Sequence, residues 1–195
     1  MFKDFWISLK RASMDIKTYV NSDRMDYFAF LSRGYIIDWL LQSEQYWLRA
    51  YVKALRKEEY FTFYQPNRFL KYYYQRKKNI LGRKLGFFIS AGNFGSGLKI
   101  YHYGSIIVHP KARIGKDCTI HGNCCIGSKG TFPDDAPRIG NGVDIGQGAQ
   151  VLGGISIADG VKIGAGAVVI KSVLEPGVTV VGVPAKIVQR DVSSN

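Results

Sequence analysis

The sequence predicts a mainly β fold, a parallel β-helix, behind an α-helical N-terminal domain. Three observations carry this: an aliphatic residue recurs every six positions in the second half, 19 of 22 glycines lie at or after Ile89, and 22 of 26 aromatic residues lie before it. Frequent glycines mark a chain that turns constantly, whereas aromatics with few glycines suit packed helices. The expected domains are therefore a helical one over 1–88 and a repeat one over 89–195, with an extruded loop at 127–138.

In the first half, Phe2, Phe5, Trp6, Leu9, Ile16 and Tyr19 with Val20 fall near one helical face, with Lys3, Lys10, Arg11 and Lys17 largely elsewhere. Ser22 is placed to cap the next helix, with Asp23 in its positive first turn. A longer helix is expected from about Ser43 to Lys57. After Pro66-Asn67 another should run from Arg68 to Leu81 and end near Gly82. On that last helix Tyr72-Tyr73-Tyr74 and Arg76-Lys77-Lys78 spread around the whole circumference, predicting an inward aromatic face and an outward basic one. No recognised motif accompanies the charge, so no nucleic-acid partner is expected.

The second half keeps a period of six. Val108, Ile114, Ile120 and Ile126 obey it, and after an interruption Ile139, Ile145, Val151, Ile157, Ile163 and Val169 resume it. An α-helix cannot hold residues six apart on one face, and a plain strand alternates every two. A triangular coil satisfies the pattern: each hexad makes one side and one corner, and three hexads complete a turn. Cys118 and Cys124 fall four residues after Ile114 and Ile120, where a small inward residue is wanted, so they read as packing residues. The interruption holds Thr131-Phe132-Pro133-Asp134-Asp135 and reads as the extruded loop, the kind of segment that carries function on a rigid scaffold.

Composition narrows the setting. Three cysteines without metal-type spacing point to reduced thiols in a cytoplasmic protein. No apolar run reaches the ~20 residues that span a bilayer, and the charged start Met1-Phe2-Lys3-Asp4 is no secretory signal. The formal net charge of +12 sits mainly in the first half, where Lys and Arg exceed Asp and Glu by nine up to Phe88. Such a surplus suits a solvated helical surface or peripheral contact with an anionic membrane face, with the basic helix beginning at Phe2 as the contact.

The stretches Leu98-Lys99-Ile100-Tyr101-His102-Tyr103-Gly104-Ser105-Ile106-Ile107-Val108, Ile126-Gly127-Ser128-Lys129-Gly130 and Ala158 to Val169, with the closing Val181-Gly182-Val183-Pro184-Ala185-Lys186-Ile187-Val188, resemble the hexapeptide-repeat acyltransferases, and among them the serine acetyltransferase branch. The phrase Gly97-Leu98-Lys99-Ile100-Tyr101-His102-Tyr103-Gly104 looks closer still to the saccharide O-acetyltransferases of capsule and exopolysaccharide pathways. The resemblance implies a left-handed coil, a homotrimer (in some members a dimer of trimers) with sites between neighbouring coils, and acetyl-CoA as co-substrate along the groove, with no metal. His102 matches the catalytic histidine. A neutral imidazole suits the task, because a hydroxyl is a poor nucleophile until its proton is taken as it attacks the thioester. The carry-over gives Ser128, Lys129, Gln147, Ala165 and Lys186 for coenzyme A, with Lys171 or Arg190 as further phosphate partners.

The departures bear on the acceptor. Where serine acetyltransferases place an aspartate before the catalytic histidine, this chain has Tyr101. Where they place an arginine-histidine pair for the amino acid, it has Asp135 and Ala136. A carboxylate would meet an aspartate, the wrong sign. The expected function is thus acetyl transfer to a saccharide hydroxyl, with Tyr101, Tyr103, His121, Asp134 and Asp135 around the acceptor and serine as the alternative acceptor. Two readings of another class remain open: a zinc enzyme of the γ-carbonic anhydrase type using His102, His109 and His121, and a non-catalytic trimeric scaffold.

Overall fold

The computed structural model describes residues 16–20, 23, 35–130 and 135–188, divided into two compact units between Leu81 and Gly82. The face drawn through Phe2 to Leu9, the Ser22 cap, Asp134 and Arg190 lie outside the described residues.

The first unit contains α1 (Ile16–Val20), α2 (Tyr35–Leu40), α3 (Glu44–Glu59) and the start of α4 (Arg68–Leu85). Ser43 caps α3 by accepting the Tyr46 N–H, and Glu44 at the start with Arg56 and Lys57 at the end complement the helix dipole. Leu48, Tyr51, Val52 and Leu55, at helical spacing, form its buried stripe. A widened turn follows, in which Gln65 N–H donates to Tyr60 O.

A cluster of three charges lies within this core. The Arg56 guanidinium donates to both oxygens of Asp23 (2.6 and 2.7 Å) and to Glu59 (2.7 Å), and Tyr19 Oη donates to Glu59 as well. Asp23 is therefore a buried partner of Arg56, a role no local helix-start argument reveals. Burial opposes the charge on Arg56, but Glu59 and Asp23 outweigh it and raise its pKa.

Two expectations for the fourth helix are corrected. It continues through Gly82 to Leu85, and the chain turns at Gly86, whose φ of +82° favours glycine. Its faces are also reversed in part: Phe69, Tyr72 and Tyr73 are exposed, while Lys78 is buried on Glu58 at 2.9 Å. An available carboxylate on α3 satisfies the lysine, so its long apolar stem enters the core. Among the described residues no helix is long and apolar enough to cross a membrane.

The second unit is a triangular coil of three parallel sheets. The first sheet stacks β1 (Phe87–Phe88), β3 (Ile106–Val108), β6 (Cys125–Gly127), β9 (Gln150–Leu152) and β12 (Val168–Val169). The second stacks β4 (Arg113–Ile114), β7 (Arg138–Ile139) and β10 (Ser156–Ile157). The third stacks β2 (Lys99–Ile100), β5 (Thr119–Ile120), β8 (Asp144–Ile145), β11 (Lys162–Ile163) and β13 (Thr179–Val181), with β14 (Lys186–Val188) folded back antiparallel on β13. Phe87–Phe88 is thus already a rung of the coil, ahead of the composition shift at Ile89.

Register confirms the 18-residue turn, with Ile107 opposite Cys125, Gln150 opposite Val168 and Asp144 opposite Lys162. Cys125 pairs with Gln150, 25 positions on, so seven residues leave the coil between β6 and β7. Every hexad aliphatic from Val108 to Val169 is buried, as are Cys118 and Cys124. Burial pushes the Cys118 thiol up to about 11 and raises Cys124 too, so both pack as small apolar groups.

Candidate active site

The coil has three edges, and two of them bound the first sheet. One edge, between the third and first sheets, carries Tyr101, His102 and Tyr103 after β2, His121 after β5, Gln147 after β8 and Ala165 after β11. The other, between the first and second sheets, carries His109 after β3, Ser128, Lys129 and Asp135 after β6, and Gly153-Gly154 after β9.

On the first edge the turns stack closely because the residues are small. A Cβ at Gly122 would stand 2.6 Å from Tyr103 O, and one at Gly146 2.7 Å from Ile163 O. Gly166 N–H donates to Gln147 O, which ties the two turns together. His102 and Tyr103 are exposed at the upper turn, Gln147 and Ala165 at the lower ones, and Lys186 lies exposed on the folded-back β14. The stack leaves an open strip of backbone and small side chains running away from His102.

Tyr101 is the centre of a polar row on this side. Its ring stacks on His121 (centroids 4.6 Å, planes 11° apart) and stands 6.3 Å from the His102 ring. Lys99 Nζ donates to Tyr101 Oη at 2.8 Å, and His121 Nε2 lies 3.2 Å from Asp144 Oδ1. A tyrosine thus replaces a carboxylate beside His102, and the carboxylate of this face holds His121 instead.

Of the expected acceptor residues, Tyr101, Tyr103 and His121 share one edge with His102, while Asp135 stands against Gly154 on the opposite edge of the same coil. Ser128 and Lys129 are on that opposite edge too, where Lys129 Nζ donates to Ile170 O at 2.9 Å. The five coenzyme-binding expectations therefore divide between two edges: Gln147 and Ala165 on one, Ser128 and Lys129 on the other, with Lys186 on the terminal hairpin. His109 also sits away from His102 and His121, its Nδ1 accepting from the Lys111 N–H, so within one chain the three histidines do not converge. Nothing along the chain marks Lys99 and Asp144 as a pair, because they meet only through the stacking of the coil. They occupy the same register column, Lys99 opposite Thr119 and Thr119 opposite Asp144.

No family model matches the chain. A serine acetyltransferase of Buchnera aphidicola is 40% identical over 107 residues, 54% of this chain and 41% of that protein. The chain thus spans less than half the length of this curated relative. Among solved structures, the Neisseria gonorrhoeae serine acetyltransferase superposes with a TM-score of 0.64 at 28% identity, over 92% of this chain and 68% of the other. A Brucella abortus serine acetyltransferase in complex with coenzyme A gives 0.64 at 25% identity, over 95% and 71%.

Along its coil the chain is similar to these serine acetyltransferases. Its coil is a left-handed parallel β-helix, the fold it shares with these structures. The expected saccharide acceptor, with the closeness to polysaccharide O-acetyltransferases, is corrected by the same finding: the relatives matched at about 40% identity are serine acetyltransferases. The error has a physical source. Asp135 and Ala136 remove one way of holding a carboxylate, and losing that partner does not build a sugar site.

Proposed function

We propose that this chain is an acetyl-CoA-dependent serine O-acetyltransferase, working as a homotrimer. The observation that carries the reading is the match to serine acetyltransferases across the coil. With it goes the position of His102 at the head of an open strip of small residues suited to a pantetheine arm. Gln147, Ala165 and Lys186 line the strip from the same protomer, and Ser128 and Lys129 come from the facing edge of a neighbour.

In the reaction the His102 imidazole takes the serine hydroxyl proton as Oγ attacks the thioester carbonyl carbon. The C–S bond breaks, and the imidazolium returns the proton to the departing CoA thiolate. No acyl-enzyme forms, in keeping with Cys118 and Cys124 being buried with raised pKa values. The test is CoA release from acetyl-CoA with L-serine as acceptor, with O-acetylserine identified by mass. Steady release with no acetylated serine, or no release at all, overturns the reading.

A further inference from the structure

The serine reading leaves a gap, because Tyr101 and Asp135 stand where the resemblance places an aspartate and an arginine. The column of outward side chains on the third sheet offers a replacement. Lys99 at its head is a cation, Asp144 two rungs on is a carboxylate, and between them the Tyr101 ring stacks on His121. The four side chains form one contiguous row through bonds of 2.8 Å (Lys99–Tyr101) and 3.2 Å (His121–Asp144). The His121 and Asp144 side chains keep 27% and 48% of their exposure, so a solute reaches them.

We propose that Lys99 and Asp144 are the specificity-determining residues that hold the two charges of an α-amino-acid acceptor, with its hydroxyl toward His102. The proposal rests on the serine reading and names how this chain recognises that substrate. Spacing supports it. Neighbouring parallel strands lie about 4.8 Å apart, which puts the two backbone positions roughly 9.6 Å apart. An α-amino acid separates its ammonium nitrogen and carboxylate oxygen by about 3 Å from standard bond lengths and angles. Charge-assisted hydrogen bonds add about 2.8 Å at each end. The total of roughly 8.6 Å fits the column, with the carboxylate on Lys99, the ammonium on Asp144, and the Tyr101–His121 stack as floor.

The experiment compares kcat/KM of the full chain and its variants for L-serine, L-serinamide (no carboxylate) and 3-hydroxypropionate (no ammonium). Lys99→Gln should shrink the preference for serine over serinamide by at least about tenfold, and Lys99→Arg should restore it. Asp144→Asn should shrink the preference for serine over 3-hydroxypropionate by about the same factor, with the serine/serinamide ratio unchanged. A residue that only supports the fold would lower all three acceptors together. Uniform losses, or preferences that do not move while wild type turns over serine, overturn the proposal and leave the serine reading standing. A wild type inactive on all three acceptors overturns the serine reading and this proposal with it.

Discussion

Replacing Gly146 with alanine should damage the coil more than replacing Gly142, although only Gly142 has a backbone that disfavours alanine. At Gly146 an added Cβ would stand 2.7 Å from Ile163 O and 2.8 Å from Ala165 N, against an ordinary contact of 3.4 Å or more. Both obstacles are backbone of the next turn, so no side chain can swing away. Opening the gap by the missing ~0.7 Å would stretch the Gly146 N–H bond to Ile163 O from 2.8 Å to the edge of hydrogen bonding. Overpacking of this kind costs about 1–3 kcal/mol, and the weakened bond adds about 0.5–1.5. The expected loss is therefore about 2–4 kcal/mol. Gly142 has φ +62° and nothing within 4 Å of a new Cβ, so alanine there meets only the left-handed penalty of about 1–2 kcal/mol. Asparagine should be tolerated better at 142, since Asn123 already adopts φ +61° in the same coil. Urea unfolding at fixed protein concentration gives the order directly. If Gly146→Ala is no less stable than Gly142→Ala, the close approach of neighbouring turns is not what requires glycine there.

His102→Ala should lower kcat by at least about 100-fold while coenzyme A still binds by calorimetry; near-normal turnover would remove His102 as the base. Cys118 ties stability to alkaline pH. Its thiol titrates near 9 when unfolded and about 11 when folded, so its contribution is full below pH 9 and is lost as pH rises toward 11, by roughly 2–3 kcal/mol. In unfolding measurements from pH 8 to 11, Cys118→Ala should flatten that decline, and an unchanged slope would contradict the assignment. Arg56→Met should destabilise the helical unit by about 3–5 kcal/mol, because it strands the carboxylates of Asp23 and Glu59 in the core. Helical circular dichroism against temperature checks this, and a loss below about 1 kcal/mol would mean the cluster is hydrated in solution.

The sequence by itself determined the coil. A period of six with an inward aliphatic at each step admits few backbones, and one of them stacks residues 18 apart, so Val108 to Val169 could be placed inside before any coordinates. His102 entered as the candidate base by another route, the resemblance of its flanking residues to the acyltransferases, since it lies ahead of the first hexad position, Val108. The acceptor side was not legible. The sequence favoured a saccharide from the loss of two residues in a loop, and the relatives of the coil overturned that. Tertiary structure alone put Asp135 and His102 on opposite edges of one coil, buried Lys78 on Glu58, and made Asp23 the partner of Arg56. It also brought Lys99, Tyr101, His121 and Asp144 into one row, although 45 positions separate the first from the last. The physical reason is shared. A repeat encodes its inward contacts locally, through spacing, whereas outward side chains meet partners one or two turns away. Which partners those are depends on how many residues each turn contains, and here an expelled loop adds seven to one of them.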